Sequence, residues 1–262
     1  MILDEIIEKR RIQLEREKAA VSPADMKKAA ERSDRVPISF ADALKRDGLS
    51  VIAEVKRASP SKGLICRDLQ PADIAREYQR CGASAVSCLT EEHYFMGSSA
   101  YLREIRKAVT LPILRKDFIF DEYQIFEAKV IGADAVLLIA AVHDTKRLSE
   151  LADIAHSLGL DVLAETHNER ELESVLAADC DIIGINNRDL ADFNVSLETT
   201  KRLIGLIPDG RVRVSESGIR SAEDMRYVHR CGADAVLIGE SLAAGGASDI
   251  RRRYDMLTEG GI

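Results

Sequence analysis

The 262-residue chain is 46% hydrophobic, has no tryptophan and carries a formal net charge of −7. That apolar content supports a sizeable core filled by aliphatic side chains, and the acidic balance argues against a nucleic-acid partner, which calls for a basic face. Five scattered cysteines, Cys66, Cys81, Cys88, Cys180 and Cys231, with no paired spacing, exclude a disulfide framework or zinc site and predict reduced thiols.

Residues 2 to about 20 read as an amphipathic helix, with Ile2, Leu3, Ile6, Ile7 and Leu14 near helical spacing. Nothing in this start reads as a signal peptide. A second helix should follow Ser22-Pro23, since serine caps helices and proline suits the first turn. Phe40, Ala43 and Leu44 predict a further turn. No strand candidate precedes residue 50. Residues 1–47 are therefore expected to be a helical extension capping the main body, and deleting residues 1–40 should leave a barrel that still folds but binds substrate more weakly.

From residue 51 the pattern alternates. Strands are predicted at 51–56, 84–90, 112–117, 134–140, 161–166, 181–186, 211–216 and 235–239. Helices are predicted at 71–81, 98–109, 121–131, 145–158, 168–178, 196–207, 221–231 and 247–258. The strands are near-continuous aliphatic runs, as in a parallel sheet buried on both faces. The longest apolar run, Ala135 to Val142, is too short to span a bilayer. Eight strand–helix units predict an α/β fold, a (β/α)8 TIM barrel occupying residues 1–262 as a single domain with its N-terminal extension. Three near-identical segments mark internal repetition: Cys81-Gly82-Ala83-Ser84-Ala85-Val86, Ile131-Gly132-Ala133-Asp134-Ala135-Val136 and Cys231-Gly232-Ala233-Asp234-Ala235-Val236. Each reads as a glycine closing a helix before a buried strand. A doubly wound open sheet is the competing architecture; no GxGxxG follows the first strand.

Chemistry in such barrels sits at the C-terminal strand ends. Side chains alternate along a strand, so Ile52, Glu54 and Lys56 share one face, as do Leu114 with Lys116, Leu163 with Glu165 and Val214 with Glu216. Strand six ends in Asn186. If these faces point inward, two lysines, three glutamates and an asparagine converge on one mouth, and such clusters shift pKa values toward catalytic use. Phosphate is predicted at Glu216-Ser217-Gly218-Ile219 and Ile238-Gly239-Glu240-Ser241, the loops after strands seven and eight. Glu240 is given a backbone role there, because its carboxylate would repel the anion. The histidines, His93, His143, His156, His167 and His229, show no metal-ligand spacing and read as surface or loop residues. Arg251-Arg252-Arg253 reads as a solvated helix face.

Together these motifs resemble the indole-3-glycerol phosphate synthase family. The matching segments are Ile52-Ala53-Glu54-Val55-Lys56 with Ser59-Pro60-Ser61, then Leu89-Thr90-Glu91 with Phe95 and Gly97-Ser98. Leu114-Arg115-Lys116-Asp117-Phe118-Ile119, Gly184-Ile185-Asn186-Asn187-Arg188-Asp189-Leu190 and Ser215-Glu216-Ser217-Gly218-Ile219 complete the set. The resemblance implies conversion of 1-(2-carboxyphenylamino)-1-deoxyribulose 5-phosphate to indole-3-glycerol phosphate, carbon dioxide and water, without cofactor or metal; the expected cytoplasmic location follows from the reduced cysteines instead. It assigns Lys116 as general acid in ring closure and Glu165 as its proton-transfer partner and support for the iminium charge. Glu54 and Lys56 are assigned to dehydration, Lys56 also to the substrate carboxylate, and Asn186 and Glu216 to orientation. Phosphate would meet Ser59, Ser217, Gly218 and Gly239, with Arg188 nearby. Phe95, Phe118, Leu137, Leu190 and Ile238 would line the ring pocket.

Lys116 is expected to have its pKa lowered by positive neighbours and apolar walls. Two features depart from the family pattern: Met96 stands where a polar residue is expected, and the extension has no aromatic to add to the ring pocket. No nucleic acid or membrane partner is expected, and the chain is expected to be a monomer, with a weak dimer as the alternative. The rival chemistry is a Schiff-base aldolase using Lys116 or Lys56; a rival of another class is a non-catalytic sugar-phosphate-binding barrel.

Overall fold

The computed structural model describes residues 2–60, 62–67, 69–189, 193–243 and 249–259. Eight parallel strands close a barrel in sequential order: β1 (Ser50–Val55), β2 (Ala85–Leu89), β3 (Ile113–Lys116), β4 (Ala135–Ile139), β5 (Asp161–Thr166), β6 (Ile182–Asn186), β7 (Val212–Glu216) and β8 (Ala235–Ile238). All eight predicted strands are present, and the helices between them fall where periodicity put them. The exception is the last crossover. There a short helix, Glu240–Ala243, follows β8 directly and Ile250–Thr258 comes after. A small hairpin, Ala58–Ser59 with Gly63–Leu64, projects beyond β1. No helix among the described residues is long and apolar enough to cross a membrane.

The repeats have a common physical cause. Gly82, Gly132 and Gly232 take left-handed φ values of 93°, 99° and 107°. In each repeat the next amide reaches back five residues: Ala83 to Tyr78, Ala133 to Ala128 and Ala233 to Val228, at 3.1, 2.9 and 3.1 Å. This six-to-one bond ends the helix and turns the chain into its strand.

Two cores follow from strand alternation. Outward side chains pack under the helices. Inward ones, including Ile52, Leu114, Leu137, Leu163, Ile182, Val214 and Leu237, fill the barrel. The extension reaches both ends of this barrel. Helix α1 (Ile2–Ala20) lies at the mouth, α2 (Pro23–Glu31) packs on the helix Glu122–Ile131, and α3 (Phe40–Leu44) places Phe40 and Leu44 in the barrel core, both fully buried. Asp161, at the start of β5, receives the α3 amides of Phe40 and Ala41 at 2.6 and 2.9 Å. The extension therefore plugs the far end as well as approaching the site.

Candidate active site

Above the aliphatic layers, the inward face of the same strands turns polar. Glu54, Lys56, Lys116, Glu165, Asn186 and Glu216 all line one cavity of about 410 Å³. Ser59, Phe95, Phe118, Leu137, Arg188, Ser217, Gly218, Ile238 and Gly239 line it too. Of the residues expected at the site, only Leu190 lies outside the described residues, as does Ser61 of the motif after β1.

Lys116 is the hub. Its Nζ donates to Glu165 Oε2 at 3.1 Å and to Glu216 Oε2 at 2.6 Å. Burial works against this ammonium, but the charges of Glu216, Glu165 and Glu54 outweigh it and hold the pKa above the ordinary lysine value. The expected lowering is thus corrected. The positive neighbour in sequence, Arg115, points to the opposite face, where it bonds Gln124, Thr90 and Asp117. What Lys116 sees is carboxylate. Burial opposes ionisation of Glu165 too, but Lys116, His167 and an Asn186 hydrogen bond hold its carboxyl below the ordinary value. Glu54 pairs with Lys56 across the β1 end.

Glu216 is left with the surplus negative charge. Burial pushes its carboxyl up to about 7; Lys116 opposes the rise, while Glu165 and Glu54 add to it. The folded state therefore holds this proton more tightly than the unfolded chain. Its stabilisation is fully present below about 4.5 and lost as pH rises through about 7. Wild-type stability relative to Glu216→Gln should accordingly decline between about pH 4.5 and pH 7 and level off above that, as thermal unfolding of both proteins would read. A difference that does not vary with pH would mean that Glu216 stays ionised throughout.

Two glycines make room for these carboxylates. A Cβ at Gly184 would overlap Glu216 Oε1, and one at Gly239 would overlap Glu54 Oε1. Gly239 thus accommodates a carboxylate as well as bordering the anion loops. After β7, Ser217 and Gly218 both take left-handed φ, 65° and 86°. A side chain at Gly218 would meet Val195 and Leu197. Ser241 Oγ donates to the Ile219 carbonyl at 2.6 Å, tying the loops after β7 and β8 together.

Charge around those loops is mostly positive. Arg188, Arg220 and Arg253 line this end of the cavity, with Glu240. The Glu240 carboxylate lies 3.6 Å from Lys62 and 4.0 Å from Arg188. Its role is therefore not confined to the backbone: the side chain sits among cations at the rim. Arg253, read from sequence as solvated, is drawn to the cavity by an Nη1 bond to the Ser241 carbonyl at 3.3 Å.

The opposite wall is apolar. The rings of Phe95 and Phe118 lie 6.1 Å apart. Leu3 and Ile6 of α1 join them at the cavity wall. Those two were missed because an apolar helix stripe does not show what it covers. Met96 is 38% exposed and outside the lining. Among the histidines, His143 sits with Nε2 2.9 Å from the Ile119 carbonyl. His167 departs further from the surface reading: its Nε2 lies 3.4 Å from Glu165 Oε1.

The family model of indole-3-glycerol phosphate synthase matches residues 3–253. An indole-3-glycerol phosphate synthase from Lachnospira eligens is 50% identical over 247 residues, covering 92% of each chain. One from Thermoanaerobacter pseudethanolicus is 48% identical over 241 residues, again covering 92% of each. Among solved structures, an N-acetylmannosamine-6-phosphate 2-epimerase from Clostridium perfringens superposes with a TM-score of 0.61 at 15% identity, covering 85% of this chain and 97% of that one. A mandelate oxidase solved with a flavin adduct gives 0.64 at 18% identity, covering 91% and 84%. At such identities these two share the barrel alone.

Proposed function

The chain belongs to the indole-3-glycerol phosphate synthase family, and we propose that its cavity closes, decarboxylates and dehydrates 1-(2-carboxyphenylamino)-1-deoxyribulose 5-phosphate by acid–base chemistry centred on Lys116. Members of this family are carboxy-lyases of tryptophan biosynthesis. The observation that carries the residue assignment is the placement of the Lys116 ammonium between Glu165 and Glu216, with an apolar wall on one side and glycine loops ringed by arginines on the other.

Ring closure joins the aromatic carbon to the substrate carbonyl carbon and leaves charge on the carbonyl oxygen. An ammonium held charged by two carboxylates keeps its proton until a stronger base, that developing alkoxide, appears beside it. Glu165 faces the cationic ring imine and stabilises it electrostatically. Carbon dioxide then leaves, its bonding pair neutralising the imine. Lys56 and Glu54, paired at the β1 end, protonate the departing hydroxyl and accept the ring proton. Asn186 and Glu216 orient the substrate. Phe95, Phe118, Leu137 and Ile238 enclose the ring, and Ser59, Ser217, Gly218 and Gly239 meet the phosphate beside Arg188. A cytoplasmic monomer acting without cofactor completes the proposal.

The Schiff-base alternative fares poorly on the same geometry. A nucleophilic lysine needs a neutral amine, and the carboxylates around Lys116 favour the ammonium. Incubating the purified protein with the carboxyphenylamino-deoxyribulose phosphate should give indole fluorescence; its absence in folded protein would overturn the reading.

Phosphate recognition has its own test. Neither Gly218 nor Gly239 isolates it, since substitution at either meets Val195 or Glu54. Arg188→Ala should instead raise KM by roughly 10- to 150-fold, the equivalent of a charged hydrogen bond of about 1.5–3 kcal/mol. Inorganic phosphate should compete with substrate in the wild type and compete more weakly in the variant. Unchanged KM and unchanged inhibition would place the phosphate elsewhere.

A further inference from the structure

Counting protons across the proposed reaction exposes a deficit. The substrate enters as a carboxylate. Ring closure forms an O–H bond at the former carbonyl with a proton from Lys116, whose N–H electron pair stays on nitrogen. Loss of carbon dioxide moves the carbon–carbon pair into the imine and involves no proton. Dehydration adds one proton to the leaving hydroxyl and removes one from carbon. Each turnover therefore consumes one proton, and the shortfall falls on Lys116 while substrate fills the cavity.

The residues behind Lys116 form one continuous line. Lys116 Nζ contacts Glu165 Oε2 at 3.1 Å, and the other oxygen of the same carboxylate faces His167 Nε2 at 3.4 Å. That Nε2 is buried and has no hydrogen-bond partner. On the far side of the ring, Nδ1 lies 2.9 Å from Glu171 Oε2, which also accepts the His167 amide at 2.8 Å. Asn168 Nδ2 fixes the second Glu171 oxygen at 2.7 Å. The carboxylate at Nδ1 keeps a proton there, so Nε2 is the nitrogen that can take up or give one.

We infer that His167 is the proton store of this site, a positioning residue that refills Lys116 through Glu165 without touching the substrate. The imidazolium gives its Nε2 proton to Glu165 Oε1, and the carboxyl so formed turns to deliver that same proton to the neutral Lys116 amine, which returns Glu165 to its carboxylate. The histidine regains its own proton from water once product has left. The surroundings favour the loaded form. Burial disfavours the imidazolium, but the Glu171 hydrogen bond and the charges of Glu165, Glu171 and Glu216 raise its pKa above the ordinary histidine value. Glu216 also touches Lys116, but its Oε1 has no partner through which a second proton could follow.

The inference rests on the reaction proposed above. Its test is a single turnover with enzyme in excess, in weak buffer with a pH-indicator dye, following indole and bulk proton uptake together. Wild-type indole formation reports on the reaction itself; the order of the two traces reports on the store. In the wild type indole should appear first, with proton uptake lagging until product leaves. In His167→Gln the lag should vanish, uptake rising with or ahead of indole. Glu171→Gln, which keeps the ring in place but removes the charge that favours its proton, should shift the pH above which the lag disappears downward. A histidine that only shaped the site would slow both traces and preserve their order. If the lag survives in His167→Gln, the stored proton sits on Glu216 or a lysine and the assignment fails. Coincident traces in the wild type overturn it as well.

Discussion

Lys116→Ala should abolish carbon dioxide release and indole formation together, by about 100- to 10,000-fold, the usual contribution of one positioned acid. The reason is order: carbon dioxide cannot leave until ring closure has made the imine. The same substitution also leaves Glu165 and Glu216 without the cation between them, so these carboxylates should bind protons more readily in the variant. Lys56→Ala should differ in kind. Lys56 pairs with Glu54 at the β1 end, whereas Lys116 pairs with Glu165 and Glu216. In a single turnover it should release carbon dioxide at an appreciable rate while indole absorbance lags. Traces that rise together in that variant would place Lys56 at or before ring closure, holding the substrate carboxylate, and the division of labour would be wrong.

Arg10→Ala carries the largest expected loss of stability. Arg10, fully buried, makes two bonds to Asp117 at 2.9 and 3.1 Å and a third to Glu17 at 3.0 Å. Arg115 shares Asp117 Oδ2 with Arg10, at 3.0 Å, and reaches Glu127 at 2.6 Å. Removing one member of such a buried network typically costs about 3–5 kcal/mol, mostly because the other charges stay buried. Asp117 follows Lys116 directly and accepts the Phe118 amide at 2.8 Å. Denaturant midpoint and KM should therefore move together in Arg10→Ala. Arg10→Lys should recover only part of both, since an ammonium cannot span both Asp117 oxygens as a guanidinium does. A surface-like effect, below about 1 kcal/mol, would show that the helix is held by its apolar contacts alone. This bears on removal of residues 1–40. Such a truncation strips Arg10 from Asp117 and Phe40 from the barrel core, so it tests stability and affinity at once.

What the sequence made legible follows from periodicity. Buried parallel strands read as aliphatic runs, and a charge at a fixed offset from an inward aliphatic residue must point inward too. Ile52 to Glu54 and Leu114 to Lys116 are such pairs, and they locate the mouth before any coordinate is known. Arg10 was not legible. On an amphipathic helix rich in charge it looks solvated, and its burial is decided by a partner 107 residues away. The protonation bias of Lys116 was misread for a related reason. Neighbours in sequence were counted, whereas alternation sends Arg115 outward and brings Glu165 and Glu216 in from other strands. His167 lies one step past a strand end, where alternation stops being a guide, and only its two carboxylate neighbours give it a role. Gly184 and Gly239 looked like turn or backbone residues until the carboxylates that lean over them were in view.

The extension also imposes an order of assembly. At a synthesis rate of roughly 5–20 residues per second, Arg10 leaves the ribosome roughly 5–20 s before Asp117, 107 positions on. Phe40 waits longer still for Asp161, 121 positions later. During that interval α1 has neither its ionic partner nor the apolar wall that its Leu3 and Ile6 later complete. The plug α3 likewise waits for the Asp161 carboxylate that receives its amides. The oldest part of the nascent chain is thus docked only after β3 and β5 exist. Its attachment is a closing event of folding, and a helix holdase acting on nascent chains would find its binding face open throughout synthesis of the first half.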